Sequence, residues 1–491
     1  MIKLVVNHTY AAEAANIIRL FYGKTQIDIV NLEALEYNQS LFQANEVLLY
    51  SLLDYEDEKI VGRAILNLHD EKKEYSEKYP IDTEKQRKEA VKLIMYKLLS
   101  LHLGKTYPWG ILTGIRPIKI VHELMDKGFN DEYIESFMPE NYLVSIEKAK
   151  LAVDIAQRER SFIYPLDTKT VSIYIGIPFC PTRCHYCSFT SNSLKTCGGL
   201  VEGYLDALIY EMEQTHVFMN KYNLKVQTMY IGGGTPTSLN EEQLERLLAK
   251  AYSLFGEDLV EFTCEAGRPD TITEGKLKVL KQGGVTRISI NPQTMNDETL
   301  KAIGRAHSAE ETVKSFELAR KLGFDNINMD IILGLPGEGI EHLERTLHAI
   351  EKLQPESLTV HTMAIKRASI INENLDIVSN SGNTSEMMKL TVEFANKHDL
   401  HPYYLYRQKN MVENLENIGY SKAGYECIYN IQIIEEKQTN IAFGADAITK
   451  TVYTDENRIE RQANIKDIKL YISRIDEQIN KKLKLLEELY K

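Results

Sequence analysis

The chain has 491 residues, 43% hydrophobic and 26% charged, a balance that excludes a disordered protein and suffices for a core without disulfides. Its 58 Lys and Arg against 70 Asp and Glu leave a formal charge of -12, which excludes a general affinity for nucleic acid or anionic membrane. No apolar run approaches the ~18 residues of a membrane span, and the opening Met1-Ile-Lys-Leu-Val-Val-Asn-His8 turns polar too soon for a secretory leader. A cytoplasmic protein is expected. At about 150 residues per domain, roughly three domains are expected.

Residues 1–165 read as a separate α/β domain. Ile2–Val6 and a run at 47–53 have strand character, and helical periodicity follows at 83–101, 118–127 and 145–160. Tyr107-Pro-Trp-Gly and Leu112-Thr-Gly-Ile-Arg-Pro punctuate them as ordered loop. Trp109, the single Trp, is expected as a core or lid anchor.

From Val171 strand and helix alternate. Strand-like runs begin at Val171, Thr228, Leu259, Thr286, Asn326 and Leu358, and helical patterns follow at 204–221, 241–255, 272–282, 308–321 and 341–353. Such alternation implies a parallel sheet with helical crossovers. Ser238-Leu-Asn-Glu241 has the pattern of a capping box. Six strands are too few for an eight-stranded barrel, so a doubly wound sheet and a partial barrel both fit the periodicity. This middle domain is placed at 166–370. Beyond it, at 371–491, the alternation breaks into a polar stretch, a helix near 387–397, the aromatic segment Tyr403-Tyr-Leu-Tyr406-Arg-Gln-Lys-Asn410 and a terminal helix or helix pair at 459–491. A mixed, largely helical cap is expected there.

Three of the six cysteines fall in Tyr174-Ile-Gly-Ile-Pro-Phe-Cys180-Pro-Thr-Arg-Cys184-His-Tyr-Cys187, directly after the first strand of the alternation. Clustered reduced thiols point to metal rather than to a disulfide framework. Structural zinc prefers four N or S ligands, usually as two short pairs, and His185 as the fourth would crowd the loop. Three thiolates suit a cubane iron–sulfur cluster that keeps one iron open to a small molecule. The next strand ends in Ile231-Gly-Gly-Gly-Thr235, bare backbone that a ligand can approach closely. Later strand ends deliver Glu265, Gln293, Arg305 and Asp330 in series. The carboxyl ends of parallel strands are where such sheets place ligands.

The Cys-x3-Cys-x2-Cys loop with its glycine partner resembles the radical S-adenosylmethionine (SAM) superfamily. With Tyr174 and the four rim residues, 170–370 is similar to the oxygen-independent coproporphyrinogen III oxidase family. The flanking motifs Leu112-Thr-Gly-Ile-Arg-Pro, Glu265-Ala-Gly-Arg-Pro-Asp, Arg287-Ile-Ser-Ile-Asn-Pro-Gln and Tyr404-Leu-Tyr-Arg-Gln-Lys-Asn look like the HemZ-type coproporphyrinogen dehydrogenases. The resemblance implies a partial (β/α)6 barrel in which Cys180, Cys184 and Cys187 hold a [4Fe-4S] cluster. Tyr174, Gly233, Thr235 and Glu265 would line one SAM, and Tyr186, Gly234, Gln293, Arg305, Asp330 and Ala364 match the contacts of a second. Asp330, Arg305 and Gln293 would serve catalysis.

It implies, too, that reductive cleavage of SAM yields a 5′-deoxyadenosyl radical, which takes a β-hydrogen from a coproporphyrinogen propionate. Loss of CO2 and one electron leaves a vinyl group, and a second round gives protoporphyrinogen. The partners would be a tetrapyrrole and an electron donor such as flavodoxin or ferredoxin, with the protein a monomer. A substrate with several carboxylates needs local cations in an acidic protein, and Arg268, Lys366, Arg367, Arg407 and Lys409 are the candidates. Two features differ from the best-studied dehydrogenases. Ser188-Phe-Thr-Ser follows Cys187 without a fourth cysteine, and Gly304-Arg-Ala-His307 resembles the haem-chaperone branch. A haem-binding delivery protein and an enzyme acting on another tetrapyrrole are the alternative readings.

Overall fold

Strand β1 (Ile2–Val6) is buried along its whole length because β2 (Ile27–Asn31) and β3 (Val47–Glu56) pair with it in parallel on both sides. The hairpin partners β4 (Lys59–Leu68) and β5 (Glu71–Pro80) complete the order β2-β1-β3-β4-β5. β5 escapes an apolar pattern because it is the edge strand. Its run Glu71-Lys-Lys-Glu-Tyr-Ser-Glu-Lys leaves a charged edge that resists further pairing. The helix Glu84–Leu103 starts at a capping box, with Thr83 Oγ1 accepting from the Gln86 amide at 3.3 Å. Trp109 is fully buried in this unit, as a core anchor should be.

The computed structural model describes every residue except 24, 34–46, 57–58, 69–70, 81–82, 115, 188–191, 365–382 and 409–410. The chain forms two compact units, Met1–Val153 with Gln408–Leu415, and Asp154–Arg407 with Glu416–Lys491.

The second unit is built on β6 (Thr170–Ile177), the short pair β7 (Phe179–Cys180) and β8 (Asn192–Ser193), β9 (Lys225–Gly233), β10 (Glu261–Gly267), β11 (Arg287–Ile290), β12 (Ile327–Leu333) and β13 (Ser357–Thr362). β6, β9, β10, β11, β12 and β13 lie side by side in that order, every pair parallel. Crossover helices Val201–Lys221, Glu241–Phe255, Glu274–Gln282, Ala309–Lys321 and Ile340–Leu353 connect them. A doubly wound sheet reverses its strand order at a switch point. Here the winding never reverses, so the architecture is the partial (β/α)6 barrel, with six carboxyl ends along one rim.

The C-terminal region joins this sheet at both edges. β14 (His401–Tyr406) and β15 (Asn417–Ser421) extend it antiparallel beyond β13. β16 (Thr439–Phe443) runs parallel to β6, and β17 (Ile448–Tyr453) and β18 (Arg458–Ala463) follow as an antiparallel hairpin. Residues 459–463, expected within a terminal helix, are therefore strand; the helices are Ile468–Ser473 and Ile475–Tyr490. The aromatic segment is the strand β14, whose buried tyrosines mask the two-residue alternation. The capping box of the second crossover belongs to Asn240 and not to Ser238. Asn240 Oδ1 accepts from the Gln243 amide at 2.8 Å and Gln243 Oε1 accepts from the Asn240 amide at 3.0 Å.

A buried ionic knot ties the last helix to the barrel. Glu211 and Lys482 are both wholly buried, 2.6 Å apart. Lys482 also donates to the Ala442 carbonyl at 2.6 Å, while Tyr471, Asn464 and the Gly444 amide complete the Glu211 carboxylate. Removing one partner of such a pair strands the other charge in apolar surroundings. Lys482→Met is expected to destabilise this unit by about 3–5 kcal/mol, read as a fall in the urea midpoint. The double variant Glu211→Gln, Lys482→Met should recover part of the loss; equal midpoints for the parent and Lys482→Met would show that the pair contributes nothing.

Candidate active site

The cysteine loop leaves β6 and immediately packs against the end of β9. The Gly234 amide donates to the Ile177 carbonyl and the Thr235 amide to the Phe179 carbonyl, both at 2.8 Å. Cys180 Sγ lies 3.5 Å from Thr235 Oγ1. A Cβ on Gly234 would stand 2.5 Å from the Phe179 oxygen and 2.9 Å from Cys180 Sγ, so the loop closes only over glycine. Gly233, at φ +108°, turns the strand out of the sheet there.

Cys180 and Cys184 are buried and Cys187 is partly exposed; none of the six cysteines forms a disulfide. Burial pushes the Cys180 thiol up, Thr235 opposes it, and Cys187 and Cys184 add their repulsion. Three thiols on one loop suit a metal cluster, whose positive charge would relieve that repulsion. His185 turns away. Its amide donates to the Ile303 carbonyl and Nδ1 sits 3.0 Å from the Ala302 carbonyl.

Around the rim, Glu265 is raised to about 7, first by burial, with Tyr230 holding it down through a hydrogen bond and Asp330 pushing it further up. Tyr230 stacks on Tyr429 at 4.6 Å between ring centres, and Tyr174 lies 6.3 Å from both. Gln293 adopts φ +69°, a conformation forced by its place in the sheet. Its backbone amide donates to the Asp330 backbone carbonyl and its backbone carbonyl accepts from the Ile332 amide, both at 2.9 Å. Its buried Oε1 has no hydrogen-bond partner among the described residues. Arg305 donates to the Tyr186 hydroxyl at 2.8 Å and to the Asn291 carbonyl at 3.1 Å.

Asp330 is the opposite of Glu265. Burial pushes it up, but His361 and Asn328 outweigh burial and hold the carboxyl below its usual range. Asn328 Nδ2 donates to Oδ1 at 2.7 Å, and His361 Nε2 stands 3.6 Å from Oδ2. Tyr406 closes the chain, its hydroxyl 3.4 Å from His361 Nδ1. Tyr230, Asn328, His361 and Tyr429 are site neighbours that sequence reasoning missed, whereas Tyr406 belongs to the aromatic segment singled out there. The available signal was polar residues within otherwise apolar parallel strands: Asn328 and Asp330 are two apart on β12, as are Thr359 and His361 on β13.

The candidate substrate ligands separate. Lys366, Arg367 and Lys409 lie outside the described residues. Arg407 is 2% exposed, an internal cation lowered to about 10 by burial, with Glu416 opposing. Arg268 is engaged with Asp270 and Thr182. Ala364 lies just past β13 and is half-buried.

Residues 174–350 match the Radical SAM superfamily. An oxygen-independent coproporphyrinogen-III oxidase-like protein, HemZ, of Bacillus subtilis is 44% identical over 83% of this chain and 82% of its own length. The heme chaperone HemW of the same organism is 34% identical over 62% of this chain and 76% of its own. The solved coproporphyrinogen III oxidase HemN of Escherichia coli superposes with a TM-score of 0.52, at 23% identity, over 66% of this chain and 73% of that one, and shares the fold. The chain belongs to the radical SAM superfamily and, within it, to the HemZ-type family of oxygen-independent coproporphyrinogen-III oxidase-like proteins. Its cofactors are those of the superfamily, a [4Fe-4S] cluster and SAM.

Two outcomes are expected. Gly234→Ala should displace Cys180 and lower the iron bound after anaerobic reconstitution several-fold while leaving the fold intact; parent-level iron would show that the loop tolerates a side chain there. Glu265, titrating near 7, accepts a ligand N–H or O–H better as the carboxylate, which prevails above that pH. SAM affinity should therefore rise about tenfold between about pH 6 and about pH 8, following the ionised fraction, and Glu265→Gln should flatten the profile. Equilibrium dialysis of the cluster-loaded protein reads this, and a flat parent profile removes Glu265 from the SAM site.

Proposed function

We propose that this chain catalyses oxygen-independent oxidative decarboxylation of coproporphyrinogen III, turning two propionates into vinyls to give protoporphyrinogen IX. The observation that supports it is one rim carrying Cys180, Cys184, Cys187, Glu265, Gln293, Arg305 and Asp330, in a chain 44% identical to an oxygen-independent coproporphyrinogen-III oxidase-like protein. Cys180, Cys184 and Cys187 would hold the cluster, and Tyr174, Gly233, Thr235 and Glu265 would line SAM. Tyr186, Gly234, Gln293, Arg305, Asp330 and Ala364 are offered to a second SAM.

When bound, these cofactors supply the one-electron chemistry that removes a propionate β-hydrogen, after which CO2 and one electron leave and a vinyl group remains. The chain's own part is placement. The missing side chains of Gly233 and Gly234 leave room for the cysteine loop, and the buried Oε1 of Gln293 is an acceptor offered to a ligand donor. Arg305 fixes Tyr186, and His361 keeps Asp330 charged. The stacked Tyr174, Tyr230 and Tyr429 exclude water and present flat apolar faces toward a macrocycle. Arg367, Lys366 and Lys409 remain the proposed cations for substrate carboxylates, and a one-electron carrier of the flavodoxin or ferredoxin type would supply reducing equivalents to a cytoplasmic monomer.

The 34% identity to a heme chaperone favours a second reading, haem binding for delivery. One experiment separates them: anaerobic incubation of cluster-loaded protein with reductant and SAM, together with coproporphyrinogen or haem. Vinyl-bearing product is expected; stoichiometric haem retention without product would replace the decarboxylase by the delivery protein.

A further inference from the structure

Arg268 stands just past the end of β10, where an arginine is well placed to meet a substrate carboxylate. Its guanidinium is instead fully engaged by the protein. Nε and Nη2 donate to the two oxygens of Asp270 at 2.9 and 2.7 Å. Nη1 donates to the Thr182 carbonyl at 3.0 Å and to its hydroxyl at 2.9 Å, and it stands 3.9 Å from Cys184 Sγ. The side chain is 4% exposed, so its donors meet protein rather than solvent. Asp270 is a firm anchor. Burial pushes it up, but the Arg268 fork, His307 and Arg305 hold its carboxyl below the usual range.

Thr182 lies midway between Cys180 and Cys184, in a stretch with no ladder or helix to satisfy its backbone. Thr182 itself is exposed, and its carbonyl and hydroxyl both accept from Nη1 of the buried Arg268. A planar fork reaches the carboxylate on one side and the loop on the other; a lysine, a point charge on a flexible stem, does not reproduce that. The same cation sits against a cluster-ligand sulfur. Hydrogen bonds and charge near the sulfurs are among the levers that set the potential of an iron–sulfur cluster.

We infer that Arg268 is a positioning residue for the cluster: it orders the cysteine loop through Thr182 and raises the cluster's reduction potential through its charge beside Cys184. On reduction the cluster gains one electron from a low-potential one-electron carrier and no bond forms or breaks. The added negative charge is stabilised by the fixed guanidinium. The inference rests on the assignment of Cys180, Cys184 and Cys187 as ligands, and it adds a residue whose effect is read without turnover.

The full chain is reconstituted anaerobically with iron and sulfide and titrated with dithionite under EPR. Arg268→Gln should shift the reduction equilibrium about tenfold toward the oxidised cluster, about 59 mV for one electron. Arg268→Lys should keep most of the potential but load more slowly, and hydrogen exchange at 181–187 in both apoproteins should rise. A loaded Arg268→Gln protein with the parent potential overturns the inference. Where that variant does not load, parent-like exchange at 181–187 in apo Arg268→Lys overturns it. Cys184→Ala distinguishes the two levels: full cluster content there removes the ligand assignment itself, whereas loss there with unchanged potential in Arg268→Gln removes the arginine alone.

Discussion

A side chain at position 234 and the sulfur of Cys180 compete for the same space, and the site depends on that contest being avoided. β6 is flanked at its carboxyl end by glycine on both sides. On one, Gly234 lies under Phe179 and Cys180; on the other, Gly444 at φ +101° has space for no Cβ between the Gly176 oxygen and the Tyr204 hydroxyl, 2.6 and 2.4 Å away. Tyr204 itself donates to the Gly176 carbonyl. The loop therefore departs from a closely packed point of the sheet. The unreversed winding brings Glu265 and Asp330 to the same rim.

Two rim carboxyls are tuned in opposite directions by their neighbours. Glu265 has burial and a tyrosine donor, and it titrates near neutrality. Asp330 has an amide donor and a histidine, and it stays charged. Pairs of groups driven apart in this way mark sites where each has a different task. Here one carboxyl can answer the arrival of a ligand by ionising, and the other is a fixed anion. The overall charge of -12 makes the internal cations informative as well. Arg268, Arg287 and Arg305 are all buried, each held by named acceptors, and of these Arg268 and Arg305 lie against the cysteine loop.

The barrel was legible because each of its strands is a short apolar run after a helix with ordinary periodicity. Expected helices at 241–255 and 341–353 correspond to Glu241–Phe255 and Ile340–Leu353. Periodicity left the winding open, since adjacency of strands is a long-range property that local pattern does not carry. Strands β4, β5 and β14 to β18 were not legible: edge position permits charge, and β14 is nearly all aromatic. Within the site, motif spacing singled out the cysteines, the glycines and the acids. Arg268 and Arg407 look in sequence like surface-facing cations, and both are buried with internal partners. His361 carried no motif and emerged only through its register opposite β12, where it pairs with Ile332 beside Asp330.

The C-terminal segment is part of the site and is not laid over a finished barrel. Glu261, at the start of β10, accepts from the amides of Ile428 and Tyr429 at 2.6 and 3.3 Å and from the Cys427 thiol at 3.3 Å. A carboxylate at a helix N-terminus satisfies orphan amides and complements the dipole. That bond fixes the helix Ile428–Glu435 so that Tyr429 lies against Tyr230, which in turn donates to Glu265. Glu261 and Glu265 are four residues apart on one strand. The first docks the late helix and the second accepts from the Tyr230 hydroxyl, the two linked through two stacked rings. The carboxyl that titrates near 7 owes its tyrosine partner's packing to a segment more than 160 positions further along the chain, as the separation of 166 between Glu261 and Cys427 shows. Tuning of the rim is therefore a property of the folded unit as a whole, and a chain cut before Tyr429 would keep every motif residue of the barrel yet lose the surroundings that set the ionisation of Glu265.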